Sequence, residues 1–137
     1  MSKRLALLTI RLFMSVNLLY AGIFLKLAGA SGTVTLFTYM SQAVHGLLSE
    51  SVFRLGSGGL ETVVAVLLLI PKTARLGVGL TVGWMTAVIL SHIFVLGYGW
   101  FFADALIVMG LAVIYLLLTR RRSHLSAPEG FGDQSLG

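Results

Sequence analysis

Long apolar runs make up most of this chain, and a small set of polar side chains interrupts them: Arg11, Asn17, Lys26, Arg54, Glu61, His92 and Asp104. These are the residues able to do chemistry. A charge within an isolated membrane span costs roughly 2.5–3.5 kcal/mol on insertion scales, so each one retained there needs a partner, a polar cavity or a function. Glu61 has two readings. It is a structural partner for Arg11, Arg54 or Asn17, or it is a protonatable ligand or relay group. His92 is a helix-packing hydrogen bonder or a contact to a quinone or similar polar headgroup. Asp104 caps the start of the last helix, where the dipole favours an acid, or pairs with Lys26 or Arg54 along a site. Arg11 lies close enough to the inner face to snorkel. Trp84 and Trp100 read as packing and interface residues.

Other chemistries are absent from the pattern. The sequence has no cysteine, which excludes disulfides, thiolate metal sites and cysteine nucleophiles. His45 and His124 are not at ligand spacing with His92, so no metal site is expected. There is no P-loop, HExxH or nucleophile elbow. Gly77-Val78-Gly79 follows no strand and is not a dinucleotide turn. The formal charge of +5 sits at the ends of apolar runs and not on a solvated patch, which argues against nucleic acid as a partner.

The elements that must position these residues are membrane helices. Of 137 residues, 57% are hydrophobic and 11% charged, against about 25% charged in a soluble domain. Four spans are predicted, at about 5–27, 52–70, 76–96 and 101–119, each near the ~20 residues a bilayer requires. The expected fold class is an all-α membrane protein, a four-transmembrane-helix bundle occupying residues 1–122. Ala28-Gly29-Ala30 resembles a signal-peptide cleavage site, but the preceding run is too long and is interrupted by Arg11, Asn17 and Lys26. Between the first two spans, polar Thr38, Ser41, Gln42 and His45 alternate with apolar neighbours. That mixture predicts a short interfacial helix, lying at the surface or folded back over the bundle. Pro71 stops the second span. Residues 123–137 are expected to be a disordered cytoplasmic tail.

Lys3, Arg4, Lys72, Arg75 and Arg120 to Arg122 all fall on one side in this layout. The positive-inside rule then places both termini in the cytoplasm, and the membrane expected is a bacterial inner membrane. With about 1.5 Å rise per residue, Asn17 and Glu61 lie about 12–14 Å below the outer edge. His92 and Asp104 lie shallower by roughly 5–8 Å, and Lys26 and Arg54 rim the same side. Every span therefore contributes polar groups to the outer half, where they converge on one cavity. Small residues at Gly56, Gly58, Gly59, Gly79, Gly83 and Gly110 are candidate points of close helix approach.

Certain of these residues carry a resemblance. The first helix closes with Tyr20-Ala21-Gly22-Ile23-Phe24-Leu25-Lys26-Leu27. The second carries Gly59-Leu60-Glu61-Thr62-Val63-Val64-Ala65-Val66-Leu67-Leu68-Leu69-Ile70. A short turn ending at Arg75 and a third helix bearing His92 follow. This arrangement resembles the DoxX family across about Leu5 to Thr119, with Lys26, Glu61 and Arg75 on the family pattern and His92 a looser match. The resemblance implies a four-helix membrane bundle and a place beside redox enzymes, including quinone-linked subunits of thiosulfate oxidation. The chain departs from the pattern in its polar segment around Thr33 to His45. It also lacks cysteines for thiol chemistry of its own, which speaks against direct sulfur oxidation.

The function expected is an accessory subunit that holds a lipid-soluble ligand such as quinone at Asn17, Lys26, Arg54, Glu61, His92 and Asp104. In that reading His92 contacts a carbonyl oxygen, and catalysis belongs to a membrane or soluble oxidoreductase partner. Two alternatives stand beside it: a small oligomeric, proton-coupled carrier using the same polar cluster, and a purely structural assembly protein.

Overall fold

A computed structural model describes residues 2–120, all of whose regular elements are helical. Arg121, Arg122, His124 and the tail expected to be disordered lie outside the described residues.

Helix α1 spans Lys3–Leu27, α3 spans Glu50–Leu69, α4 spans Ala74–Leu96 and α5 spans Trp100–Arg120. Each is long and apolar enough to cross a membrane. A shorter helix, α2 (Ser31–Ala43), joins α1 to α3. The chain is thus an all-α, multi-pass membrane bundle. α1 packs on α3 and α5, and α4 packs on the same two helices, which closes a ring of four. α2 folds back over one end of that ring, against α3 and the last turns of α1 and α4.

Local chemistry sets the ends. The hydroxyl of Ser2 accepts from the amide of Leu5, and that of Ser49 from the amide of Val52, so each serine caps a helix start. The second span begins at Glu50, slightly before the predicted Val52, because the cap is Ser49. Ile70, which precedes Pro71, turns extended (ψ 118°) and ends α3. Arg11 on α1 donates from Nε to the carbonyl of Leu68 and from Nη2 to that of Leu69, each at 2.9 Å. These are carbonyls that the end of α3 leaves without helical partners. Arg11 does more than snorkel: it seals the end of a neighbouring helix.

Two helix ends are wound wider than an α-helix. Tyr20–Leu27 in α1 and His92–Leu96 in α4 are π-helical. Their exits carry i→i+5 hydrogen bonds, Ala28 N to Ile23 O at 2.9 Å and Gly97 N to His92 O at 2.8 Å. Single π turns inside α-helices recur at functional sites. Here they carry Lys26 and His92.

The buried core is confined to the bundle's axis: Met14 and Leu18 from α1, Val64, Ala65 and Leu68 from α3, Val78 and Met85 from α4, and Val108 and Ala112 from α5. The buried hydroxyl of Ser15 donates to the Ala65 carbonyl at 2.9 Å, joining α1 to α3. Outward faces remain apolar, with Phe13, Val16, Phe24, Val63, Leu76, Ile107 and Leu117 exposed. A surface of that kind is suited to acyl chains and not to water.

Close helix approach depends on fewer glycines than expected. A Cβ built on Gly22 would lie 2.8 Å from the Gly58 carbonyl, and one on Gly58 would lie 2.9 Å from the Gly22 carbonyl. The two backbones touch there. Gly77 meets the backbone of Leu67 and Leu68 in the same way, at 3.0–3.1 Å. Gly56, Gly59, Gly79, Gly83 and Gly110 face open space. Of the candidate contact glycines only Gly58 is one, because a glycine's position in the sequence does not reveal which way its Cα faces.

Candidate functional site: a polar cluster in an apolar cavity

The Gly22–Gly58 contact brings α1 and α3 together one turn from two charged residues. Lys26 follows Gly22 by one helical turn, and Glu61 follows Gly58 by nearly one. The Lys26 Nζ pairs with Glu61 Oε1. The same oxygen accepts a 2.8 Å hydrogen bond from the indole Nε1 of Trp84 on α4. The Lys26 ammonium also lies 5.8 Å from the ring centroids of Phe37 (α2) and Trp84, within cation–π range. Glu61 is only 3% exposed. Its other oxygen, Oε2, is buried without a hydrogen-bond partner among the described residues.

A second polar contact forms between α1 and α5. Asn17 Nδ2 donates to Asp104 Oδ1 at 2.8 Å. Asp104 therefore neither caps α5 nor pairs with Lys26 or Arg54. The third is local. His92 is buried, its Nδ1 lies 2.9 Å from the Gly97 carbonyl, and its ring meets Phe102 edge-on at 6.0 Å. A carbonyl only accepts, so Nδ1 carries the proton in this contact.

These groups line one cavity of about 480 Å³. Asn17, Lys26, Glu61, His92 and Asp104 all stand on its wall, and so does Trp84. The rest of the lining is predominantly apolar, with Leu18, Leu25, Leu60, Val88 and Phe101 from the spans and Leu36, Phe37 and Met40 from α2. The volume lies in the ~300–1,000 Å³ range of small-molecule sites, and sparse polar groups on an apolar wall are their usual make-up.

Arg54 is the exception among the expected site residues. It does not line the cavity. Its Nε pairs with Glu50 one turn earlier on α3, and its Nη1 donates to the backbone carbonyl of Lys26. It ties the start of α3 to the end of α1. Glu61 in turn finds Lys26 and Trp84, not Arg11, Arg54 or Asn17. The sequence reading undervalued Trp84. The signal available was depth: Trp84 is near the middle of a span, where an indole N–H has no water and needs an acceptor. Trp100, by contrast, is 80% exposed at a helix start, as an interface residue would be. Among the described residues no group of His, Asp and Glu could hold a metal ion.

Comparison with protein-family models, curated proteins and solved structures returned no match to this chain.

Proposed function

We propose that this chain is a DoxX-like accessory subunit that holds a lipid-soluble ligand, such as a quinone, in the cavity between its helices and α2. One observation carries the reading: all four spans place polar side chains on the wall of an otherwise apolar 480 Å³ cavity. A protein needing polar groups only to lock its helices would satisfy them in side-chain pairs and fill the space between. Here Glu61 keeps a buried oxygen without a partner among the described residues. The DoxX resemblance rests on Lys26, Glu61 and Arg75, and the first two form the ion pair at the cavity wall.

Topology follows the same proposal. Lys3, Arg4 and Arg75 meet at the end of the bundle away from α2, around a cleft with Leu118 and Thr119. That basic end faces the cytoplasm of a bacterial inner membrane, and the cavity opens in the outer half. Catalysis belongs to a membrane or soluble oxidoreductase partner.

The test is purification in mild detergent with mass spectrometry of co-purifying small molecules, for wild type and Glu61→Gln in parallel. An apolar redox molecule present in wild type and depleted in an equally folded variant supports the reading. Equal occupancy in both, or none in either, sinks Glu61 as part of a ligand site.

A further inference from the structure

Arg75 is one of the residues that carry the family resemblance, yet it takes no part in the cavity. It stands at the other end of the bundle, on a second cleft of about 220 Å³. Lys3, Arg4 and Leu7 of α1, Arg75 of α4, and Leu118 and Thr119 of α5 form its walls. The cleft and the cavity share no residue. Lys3 and Arg4 lie in the first turn of α1 and Arg75 in the first turn of α4, and neither turn holds an acid. Both helices therefore bring the positive end of their dipole to this cleft, where an acid is favoured and a cation is not. The end of α5 answers part of that charge: Arg75 Nη2 donates to the Thr119 carbonyl at 3.2 Å. The rest is unanswered. The three acids among the described residues, Glu50, Glu61 and Asp104, are engaged with Arg54, Lys26 and Asn17 in the opposite half of the bundle. Lys3 and Arg4 are exposed and have no ion-pair partner among the described residues.

Three cations with no carboxylate to answer them raise a local positive potential that an external anion relieves. Guanidinium and ammonium groups together suit phosphate oxygens. The position of the cleft says where that phosphate comes from. It lies where three membrane-spanning helices begin or end, which is the level of lipid headgroups. Leu7 and Leu118 line it beside the cations, so one cleft meets both a charged group and the hydrocarbon joined to it. We propose that it binds anionic phospholipid, with the phosphate among Lys3, Arg4 and Arg75 and the upper acyl chain against Leu7 and Leu118. Basic pockets between membrane helices hold anionic headgroups in this way. A zwitterionic lipid has the same phosphate but carries its own ammonium beside it, which leaves less net charge for the protein to meet. The proposal stands apart from whatever the cavity holds.

The experiment places the full chain in nanodiscs of phosphatidylcholine with a minor share of phosphatidylglycerol, as wild type, Arg4→Gln, Arg75→Gln and Lys72→Gln. Native mass spectrometry of the released protein counts the lipids it retains, and circular dichroism checks that each variant is folded. Lys72 is exposed in the turn before α4 and does not line the cleft, so its variant matches the change in charge without touching the site. The expected result is phosphatidylglycerol retained by wild type well above its share of the disc. Arg4→Gln and Arg75→Gln each lower that enrichment about fivefold, and Lys72→Gln leaves it unchanged. Because Arg75→Gln also disturbs the Thr119 contact, Arg4→Gln decides, since its side chain makes no hydrogen bond or ion pair among the described residues. Equal enrichment of the two lipids on folded wild type overturns the proposal. So does a loss in Lys72→Gln as large as that in Arg4→Gln, which would make the attraction a diffuse surface charge. A further arm adds inorganic phosphate or glycerophosphate against chloride of equal ionic strength. Lipid that stays bound supports the proposal, and displacement by phosphate beyond the effect of chloride overturns it in favour of a soluble phosphate site.

Discussion

Lys26→Met on its own leaves the Glu61 carboxylate buried with only the Trp84 indole for support. Breaking one side of a buried ion pair costs about 3–5 kcal/mol, whereas replacing both partners with apolar groups is often close to neutral. Lys26→Met is therefore expected to lower the unfolding midpoint in detergent markedly. Lys26→Met with Glu61→Leu is expected to recover most of that loss, and circular dichroism melts of the two variants decide it. A double variant as unstable as the single one would show that the pair is not coupled as drawn. At this scale the identity of the polar residues was legible, since a charge in an apolar run stands out in any reading. Their pairing was not. It depends on how each helix is rotated about its axis, and at Lys26 the π-helical turns of Tyr20–Leu27 alter that rotation. Arg54 illustrates the failure: its depth suggested the cavity rim, while its side chain points to Glu50 and a backbone carbonyl.

Elements obey different constraints. Gly22 and Gly58 allow α1 and α3 to touch, and no side chain fits between them without moving backbone. Gly22→Val is expected to push α1 outward and separate Lys26 from Glu61. Its stability loss should then fall well short of additive with Lys26→Met, because both remove the same contact. Additive losses would place the glycine's role elsewhere. Gly97 is the second such position. Its φ of 75° and ψ of −179° are essentially restricted to glycine, so Gly97→Ala is expected to cost about 1–3 kcal/mol. It should also release His92 from the Gly97 carbonyl, a change visible as a shift of the His92 imidazole resonances. The spans were readable to within a few residues because hydropathy, Ser caps and Pro71 each leave a mark in sequence. The short helix α2 was readable from its mixture of polar and apolar residues, although no side chain caps its start. The π-helical ends were not, because no residue type specifies them. Gly22 was passed over as a packing residue because contact glycines look like any others until the helices are docked.

At the scale of the whole molecule, the charge layout makes the sidedness testable. A cysteine placed at Leu136, in a chain with no native cysteine, is expected to react with an impermeant maleimide only after the membrane is opened. Labelling in intact spheroplasts would reverse the orientation. The fold class followed from composition, because four long apolar helices with little charged surface have few ways to pack. Which polar groups meet at the cavity wall did not follow, since that is a property of the docked bundle and not of any one segment.

The polar residues of α1 find their partners late in the chain: Arg11 on the carbonyls of Leu68 and Leu69, Lys26 on Glu61 and Asn17 on Asp104. During synthesis the first helix leaves the ribosome with an arginine, an asparagine and a lysine before the partners they meet in the fold have been made. It is a poor candidate for early release into lipid. It should stay at the insertion machinery until α3 has emerged to take Arg11 and Lys26, and settle fully only when α5 supplies Asp104. Site-specific crosslinking of stalled nascent chains should therefore find α1 beside the insertase until the α3 sequence has cleared the ribosome, and beside α3 afterwards. The contacts that shape the cavity would thus also set the order in which the protein enters its membrane.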